Sequence, residues 1–320
     1  MRRLSRLRIS PKTYRVLSLA SVIFLAFIII SGGLVRITGS GLGCPDWPTC
    51  DENRIVAPLE YHALVEFVNR VVTGLVSAVV IVAVLGSLVR VPRRRDLVWL
   101  SVGLVAGVIG QIVLGGLTVL FELKPGFVMA HFLLSIVILS NAVVLHTRAS
   151  EATDSTEESA NLGLSLVRVS GRDGRVLRFA LLASAAVAVA LGTVVTAAGP
   201  HGGDEDVERL ALSGRDVTRL HSIAVWVFVG VVVAILLRVW SDPRGRRRGL
   251  QLFGALLAQG VVGYVQYFNG VPVALVALHI AGATLTWTAT IRLWLHLADT
   301  ARAVNTRREA TSFTTGLANG

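Results

Sequence analysis

Eight apolar runs, each about 20 residues long, constrain what this chain can fold into more than any other feature. They fall at 15–36, 62–90, 97–121, 126–147, 177–198, 217–240, 249–269 and 272–297. A helix rises about 1.5 Å per residue, so each run can cross a hydrocarbon layer of about 30 Å. In lipid, every backbone N–H and C=O must find its partner inside the protein, which favours helix for segments of this length. Hydrophobic residues make up 53% of the 320, more than a soluble domain of this size needs. The 31 glycines suit close helix packing in a bilayer. The expectation is an all-α integral membrane protein with eight transmembrane helices. The first run exceeds a usual signal-peptide core, and its end, Gly-Gly-Leu-Val-Arg, lacks a small-x-small cleavage pattern, so it is expected to remain as the first helix.

A net charge of +11 would suit a nucleic-acid binder, but its distribution argues against one. Arg and Lys gather at 2–15, 90–95, 148–178, 238–248 and 292–308, which are alternate ends of successive helices. The opposite loops carry acids instead: Asp46, Asp51, Glu52 and Glu60, then Asp204, Glu205, Asp206 and Glu208. This asymmetry predicts a multi-pass cell-membrane protein with both termini cytoplasmic and the cysteine loop on the extracytoplasmic side. Membrane lipid is the expected environment, and no nucleic-acid partner is expected.

The chain divides into two similar parts. Residues 1–147 should form an N-terminal four-helix bundle with an outer cysteine loop at 38–60, and 177–301 a C-terminal four-helix bundle. A polar cytoplasmic linker, 148–176, separates them, and 302–320 read as a disordered tail. Gln111 precedes His131 by the same 20 residues as Gln259 precedes His279. Pro125 and Pro272 mark the turns between them, and 32–41 has a degenerate echo at 192–200. An internal repeat follows, with helix five matching one, six matching two, seven matching three and eight matching four.

Of the seven histidines, His201 falls in a polar loop and reads as solvated, while His146 and His296 sit at cytoplasmic helix ends. No histidines on helices two and six face these last two, so a second layer of haems is not expected. His131, His221 and His279 each fall within the first two turns of an even-numbered helix that enters from the outer side, at similar depth. A polar ring there is costly and points to function. Imidazole is a usual haem-iron ligand, and His221 with His279 would grip one iron from opposite faces. In the first half His131 has no such partner, because Asn69 stands where the repeat places His221. His62, Glu66 and Asn69 share one face of helix two. Glu66 is either a group that accepts a proton or stabilises developing positive charge, or an ion-pair partner of Arg70. Arg70 and Arg36 are candidates for pairing with haem propionates, or for reaching out to the interface.

The run Gly-Gly-Leu-Val-Arg-Ile-Thr-Gly-Ser-Gly-Leu-Gly-Cys-Pro-Asp-Trp-Pro-Thr-Cys (32–50) resembles the helix-one and first-loop signature of the haem A synthase family. Glu-Phe-Val-Asn-Arg (66–70) is similar to that family's Glu-x-x-His-Arg motif, and the likeness continues through His131, His221 and His279. The resemblance implies an oxidoreductase that converts haem O to haem A by successive hydroxylations of one methyl group, with loss of water to give the formyl. Water is the implied oxygen source, and the product serves cytochrome c oxidase assembly. It further implies Glu66 and His131 in a substrate half, with His131 on the substrate iron, and His221 and His279 on a haem B cofactor. A haem O synthase and an electron acceptor are the implied partners. This sequence departs from the pattern at Asn69, leaving two options: His62 replaces the missing ligand, or His131 holds the substrate iron alone. It also lacks cysteines in the second half's outer loop.

Cys44 and Cys50 are the only cysteines, share one outer loop and are expected to form a disulfide, the alternative being a transient redox pair. Two other functions compete with the synthase. A dihaem b-type electron-transfer protein would need two histidine pairs, and a transporter would favour charged residues near the midplane. Hydride transfer to nicotinamide is not expected, since no Gly-x-Gly-x-x-Gly follows a strand.

Overall fold

The computed structural model describes residues 8–51, 56–150 and 171–318, with side chains as far as residue 301. It contains eight helices among these residues: α1 (Pro11–Ile37), α2 (Tyr61–Val89), α3 (Arg95–Leu120), α4 (Pro125–Ser150), α5 (Arg172–Ala198), α6 (Gly214–Val239), α7 (Pro243–Phe268) and α8 (Val273–Ala318). Local sequence sets several of the starts. Ser10 caps α1 by accepting from the Thr13 N–H at 3.1 Å, with Pro11 at the first helical position. Asp242 and Pro243 do the same for α7, where the Arg244 N–H donates to Asp242 Oδ1 at 3.0 Å.

Seven of the eight are long and apolar enough to cross a membrane, so the protein is a multi-pass membrane protein. The expected span at 249–269 is present as α7 but is less apolar than the rest. Gln251, Gln259 and Gln266 interrupt it, and Arg244, Arg246, Arg247 and Arg248 occupy its start. The tail also differs from expectation. Helix α8 continues to Ala318 where disorder was expected from residue 302, and Ala301, Arg302, Ala303, Arg307, Arg308, Glu309 and Ala310 are helix formers. Most of the expected linker, residues 151–170, lies outside the described residues.

Each set of four helices closes into a ring. In the first, α1 packs on α2, α2 on α3, α3 on α4 and α4 on α1; in the second, α5, α6, α7 and α8 follow the same order. The even-numbered helices therefore stand opposite one another across each ring. The rings meet along α1, α4, α5 and α8. There Trp287 Nε1 donates to Ser140 Oγ at 2.8 Å, and Arg148 pairs with Asp299 at 2.8 Å. Each ring has its own apolar core, and a third cluster of Cys44, Cys50, Ala57 and Ala63 underlies the cysteine loop.

Candidate functional site

In the second ring, His221 on α6 and His279 on α8 face one another across the interior, with ring centroids 6.5 Å apart and planes inclined by 74°. His221 Nδ1 lies 3.0 Å from the Ala188 carbonyl on α5. A carbonyl can only accept, so Nδ1 carries the hydrogen and Nε2 keeps its lone pair. His279 Nδ1 is buried without a hydrogen-bond partner. Both rings rest against glycine backbone on the preceding helix. A Cβ at Gly192 would stand 3.3 Å from His221 Cε1, and one at Gly263 would stand 3.3 Å from His279 Cε1. Two metal–imidazole bonds of about 2 Å, plus the ring radii, put the centroids on the order of 6 Å apart. The observed spacing therefore fits one iron held between the two imidazoles, as a haem with two axial histidines requires.

The first ring repeats half of this arrangement. His131 on α4 lies against Gly115 of α3, where a Cβ would stand 3.2 Å from His131 Cε1, and its Nδ1 is likewise buried and unpartnered. Gln111 fixes α3 to α4 at this level, its Nε2 donating to the His131 carbonyl at 3.0 Å and to Ser135 Oγ at 2.6 Å. Across the ring, Asn69 accepts a hydrogen bond from Ser31 Oγ at 2.8 Å. A Cβ at Gly32 on α1 would meet nothing within 4 Å, in contrast to Gly192 with its histidine.

His62 is placed elsewhere. It is exposed on the first turn of α2, 2.9 Å from Ser40 Oγ and edge-on to Tyr61. Its carbonyl oxygen would stand 2.2 Å from a Cβ at Gly43. His62 thus packs with the first loop, and no hydrogen bond or ring contact joins it to His131 among the described residues.

Glu66 and Arg70 hold that loop from below. The Glu66 carboxylate, 5% exposed, accepts from the Cys44 N–H at 2.7 Å and forms an ion pair with Arg70 at 2.6 Å. Arg70 commits all five of its N–H groups: two to Glu66, two to the carbonyls of Asp46 and Thr49, and one to that of Cys44. In this arrangement it has no donor left for a propionate. Cys44 and Cys50 are joined in a disulfide. Trp47, between them, lies over Gly116, next to the Gly115 seat of His131, where a Cβ would stand 2.9 Å from its indole. The loop thus covers the end of the first ring nearest His131.

Arg36 links the two rings at this end. Its Nε donates to the Gly202 carbonyl at 3.3 Å and its Nη2 to that of Thr196 at 3.4 Å, while the Gly41 N–H donates to Gly203 at 2.8 Å. His201, expected to be solvated, is instead half-buried and donates from Nε2 to the Val271 carbonyl at 2.8 Å. Val271 itself is left-handed, φ +60°, in the α7–α8 turn. At the opposite, Arg-rich end, His296 Nε2 lies 2.6 Å from Asp242, and His146 Nδ1 lies 3.1 Å from Ser18 Oγ.

A family profile described as "Cytochrome oxidase assembly protein", COX15-CtaA, matches residues 15–291. The chain belongs to the COX15-CtaA family. Among its relatives, the haem A synthase of Bacillus licheniformis is 29% identical over 149 residues, 46% of this chain and 49% of that protein. The haem A synthase of Alkalihalophilus pseudofirmus is 30% identical over 141 residues, 44% and 48% of the two chains. That of Listeria monocytogenes is 29% identical over 186 residues, 58% and 59%. The chain thus spans about half the length of the curated relatives it matches.

Sequence reading of this COX15-CtaA member missed the seats beneath the histidines. Two carried a readable signal, since Gly115 follows Gln111, and Gly263 follows Gln259, by one helical turn. Gly192 stands at the start of the 192–200 echo of 32–41, whereas Ser31 and Ala188 carried no signal, because only the folded ring brings them to their partners.

Proposed function

We propose that this chain is a haem A synthase, oxidising a methyl group of haem O by successive hydroxylations to the formyl group of haem A. The observation that carries the reading is the facing pair His221–His279, with the His221 tautomer set by Ala188 and both rings seated on glycine. On this reading the two rings are repeats of one design. Residues 177–301 hold haem B, and residues 1–147 receive haem O. The cysteine loop is extracytoplasmic and the Arg-rich ends are cytoplasmic.

Haem B, when bound, supplies one-electron redox chemistry. The residues of the chain bind and orient. His221 and His279 would hold the cofactor iron, and His131 would hold the substrate iron without a second histidine, since Asn69 is a poor ligand and His62 packs with the loop. Arg36 has N–H groups beyond those given to Gly202 and Thr196 and takes a propionate. Glu66 already accepts three hydrogen bonds, which suits electrostatic stabilisation of positive charge near the methyl carbon better than proton acceptance. The dihaem electron-transfer alternative is less well supported, because the first ring offers one inward histidine where it needs two.

The test is product analysis after co-expression with a haem O source. Haem A is expected from the wild-type chain. His221→Ala and His279→Ala should insert normally yet lose a tightly held b-type haem. If both variants purify with undiminished haem B, or the wild type makes no haem A from supplied haem O, the reading fails.

A further inference from the structure

One polar cluster faces away from both rings. On the outer seam of α6 and α7, Tyr264 OH lies 3.2 Å from Ser222 Oγ and accepts from Trp226 Nε1 at 3.3 Å. The surface around it is apolar and exposed, with Ile223, Val227, Val261, Val265 and Phe268 all outward and Trp226 itself 59% exposed. Serines in α4 and α5, Ser135, Ser140 and Ser184, return their hydroxyl hydrogen to the carbonyl four residues back. Ser222 turns to Tyr264 instead. The cluster has one hydrogen on each of an indole nitrogen and two hydroxyls, but only two internal bonds. One hydroxyl hydrogen is therefore left without an acceptor, whichever way the Ser222–Tyr264 bond points. On a lipid-facing surface such a donor is costly unless a ligand supplies a carbonyl.

The cluster also sits on the same helical turns as the candidate haem site. Ser222 follows His221, and Tyr264 follows Gly263, the seat of His279. Residues one position apart point about 100° away from each other, so the cluster lies within about one helix diameter, ~10 Å, of the histidine seats. Tyr264 stacks on Phe268, and Tyr267 meets Phe268 edge-on, giving a flat aromatic patch beside the donors.

We propose that this α6–α7 seam binds the head group of an isoprenoid quinone, whose carbonyl accepts from the Ser222–Tyr264 pair and whose tail lies along the exposed apolar residues. The proposal rests on the synthase reading, to which it supplies the oxidant. Hydroxylation balances as R–CH3 + H2O + quinone → R–CH2OH + quinol. The methyl group gives up two electrons and one proton, the attacking water gives up the second proton, and the quinone takes up two of each. The second hydroxylation, R–CH2OH + H2O + quinone → R–CH(OH)2 + quinol, consumes one more quinone, and the gem-diol then loses water to give R–CHO.

The test uses the full haem-loaded chain in lipid nanodiscs with an azido-substituted benzoquinone carrying a short isoprenoid tail. Photolabel is expected on 222–227 and 261–268, displaced by unlabelled quinone. Tyr264→Phe should weaken that displacement roughly two- to ten-fold, the loss of one neutral hydrogen bond, with haem content unchanged. Label elsewhere, or label that unlabelled quinone does not displace, overturns the proposal. So does labelling of the seam by a photoreactive phospholipid but not by quinone, which would make it an interfacial aromatic belt. Cross-linking of two copies through this face without quinone labelling overturns it too. Failure of the synthase reading is seen separately, as absence of b-type haem from the absorption spectrum and of haem A from the product analysis.

Discussion

Replacing Arg70 by Met should loosen the cysteine loop more than removing its disulfide does. Arg70→Met keeps most of the aliphatic stem but deletes five hydrogen bonds, leaving the buried Glu66 carboxylate with only the Cys44 N–H. Breaking a buried pair by removing one partner costs about 3–5 kcal/mol, and Arg70, with its side chain 22% exposed, belongs at the lower end of that range. The Cys44–Cys50 bridge closes a separation of only 6 residues, for which loop-closure entropy gives about 2 kcal/mol. Proteolysis within 38–60 under native conditions reads the local opening equilibrium when reclosing is fast. Arg70→Met should raise cleavage about a hundred-fold over wild type, against roughly thirty-fold for Cys44→Ala/Cys50→Ala. The double variant Glu66→Gln/Arg70→Met discharges the stranded carboxylate and should recover about ten-fold relative to Arg70→Met alone. If Arg70→Met leaves the loop no more labile than the cysteine variant, or the double variant is worse than the single, the ion pair is not what holds the loop.

Further expectations concern the rings and the Arg-rich end. Gly263→Val should expel bound haem by pushing on His279, at an overpacking cost of about 1–3 kcal/mol, whereas Gly254→Ala on the same helix, with open space around its Cβ, should keep it; absorption spectra of the purified variants decide. Asn69→His should convert the substrate-bound form from partly high-spin to fully low-spin, read by electron paramagnetic resonance; a wild-type chain already fully low-spin with haem O bound would refute single-histidine ligation. Asp242 lies between α6 and α7. Burial alone would raise its pKa, but its bond to His296, the charge of that ring and the N–H groups of Gly245 and Arg244 together hold it below the usual carboxylate range. Its contribution to stability is therefore full above about pH 4 and is lost as pH falls through the depressed value, so wild type should lose its thermal-stability advantage over Asp242→Asn along that acid limb.

The eight helices were legible because they rest on long-range periodicity and on residue types that lipid tolerates well. The runs around His221 and His279 needed no tertiary knowledge to be placed at matched depth. What the sequence hid was pairing. Glu66 and Arg70 are one turn apart, so their ion pair was foreseeable. That Arg70 would spend its remaining donors on Cys44, Asp46 and Thr49 depends on how a loop 20-odd residues away folds back. His62 misled for the same reason. It shares the face of Glu66 by helical geometry, but its exposed position at the first turn lets Ser40 and the backbone of Gly43 claim it. Helix α7 was read correctly as helix, while its three glutamines and basic start made it a weaker membrane segment than its neighbours.

The asymmetry between the rings bears on why one fold would use the same seat twice. A histidine on a glycine seat recurs three times, at Gly115–His131, Gly192–His221 and Gly263–His279, and the fourth position has the glycine, Gly32, but not the histidine. Asn69 stands on α2 in its place, turned to Ser31 on α1. A group gripped by two imidazoles must break two bonds to leave, whereas one held by a single imidazole breaks only one. On the proposed reading, the ring with both histidines keeps its haem as a permanent cofactor. The ring with one releases its haem after the methyl group has been oxidised. The disulfide loop lies over the second case, its Trp47 resting beside the Gly115 seat. On that reading the loop covers the ring whose occupant comes and goes, and Asn69 in place of a histidine sets its shorter residence time.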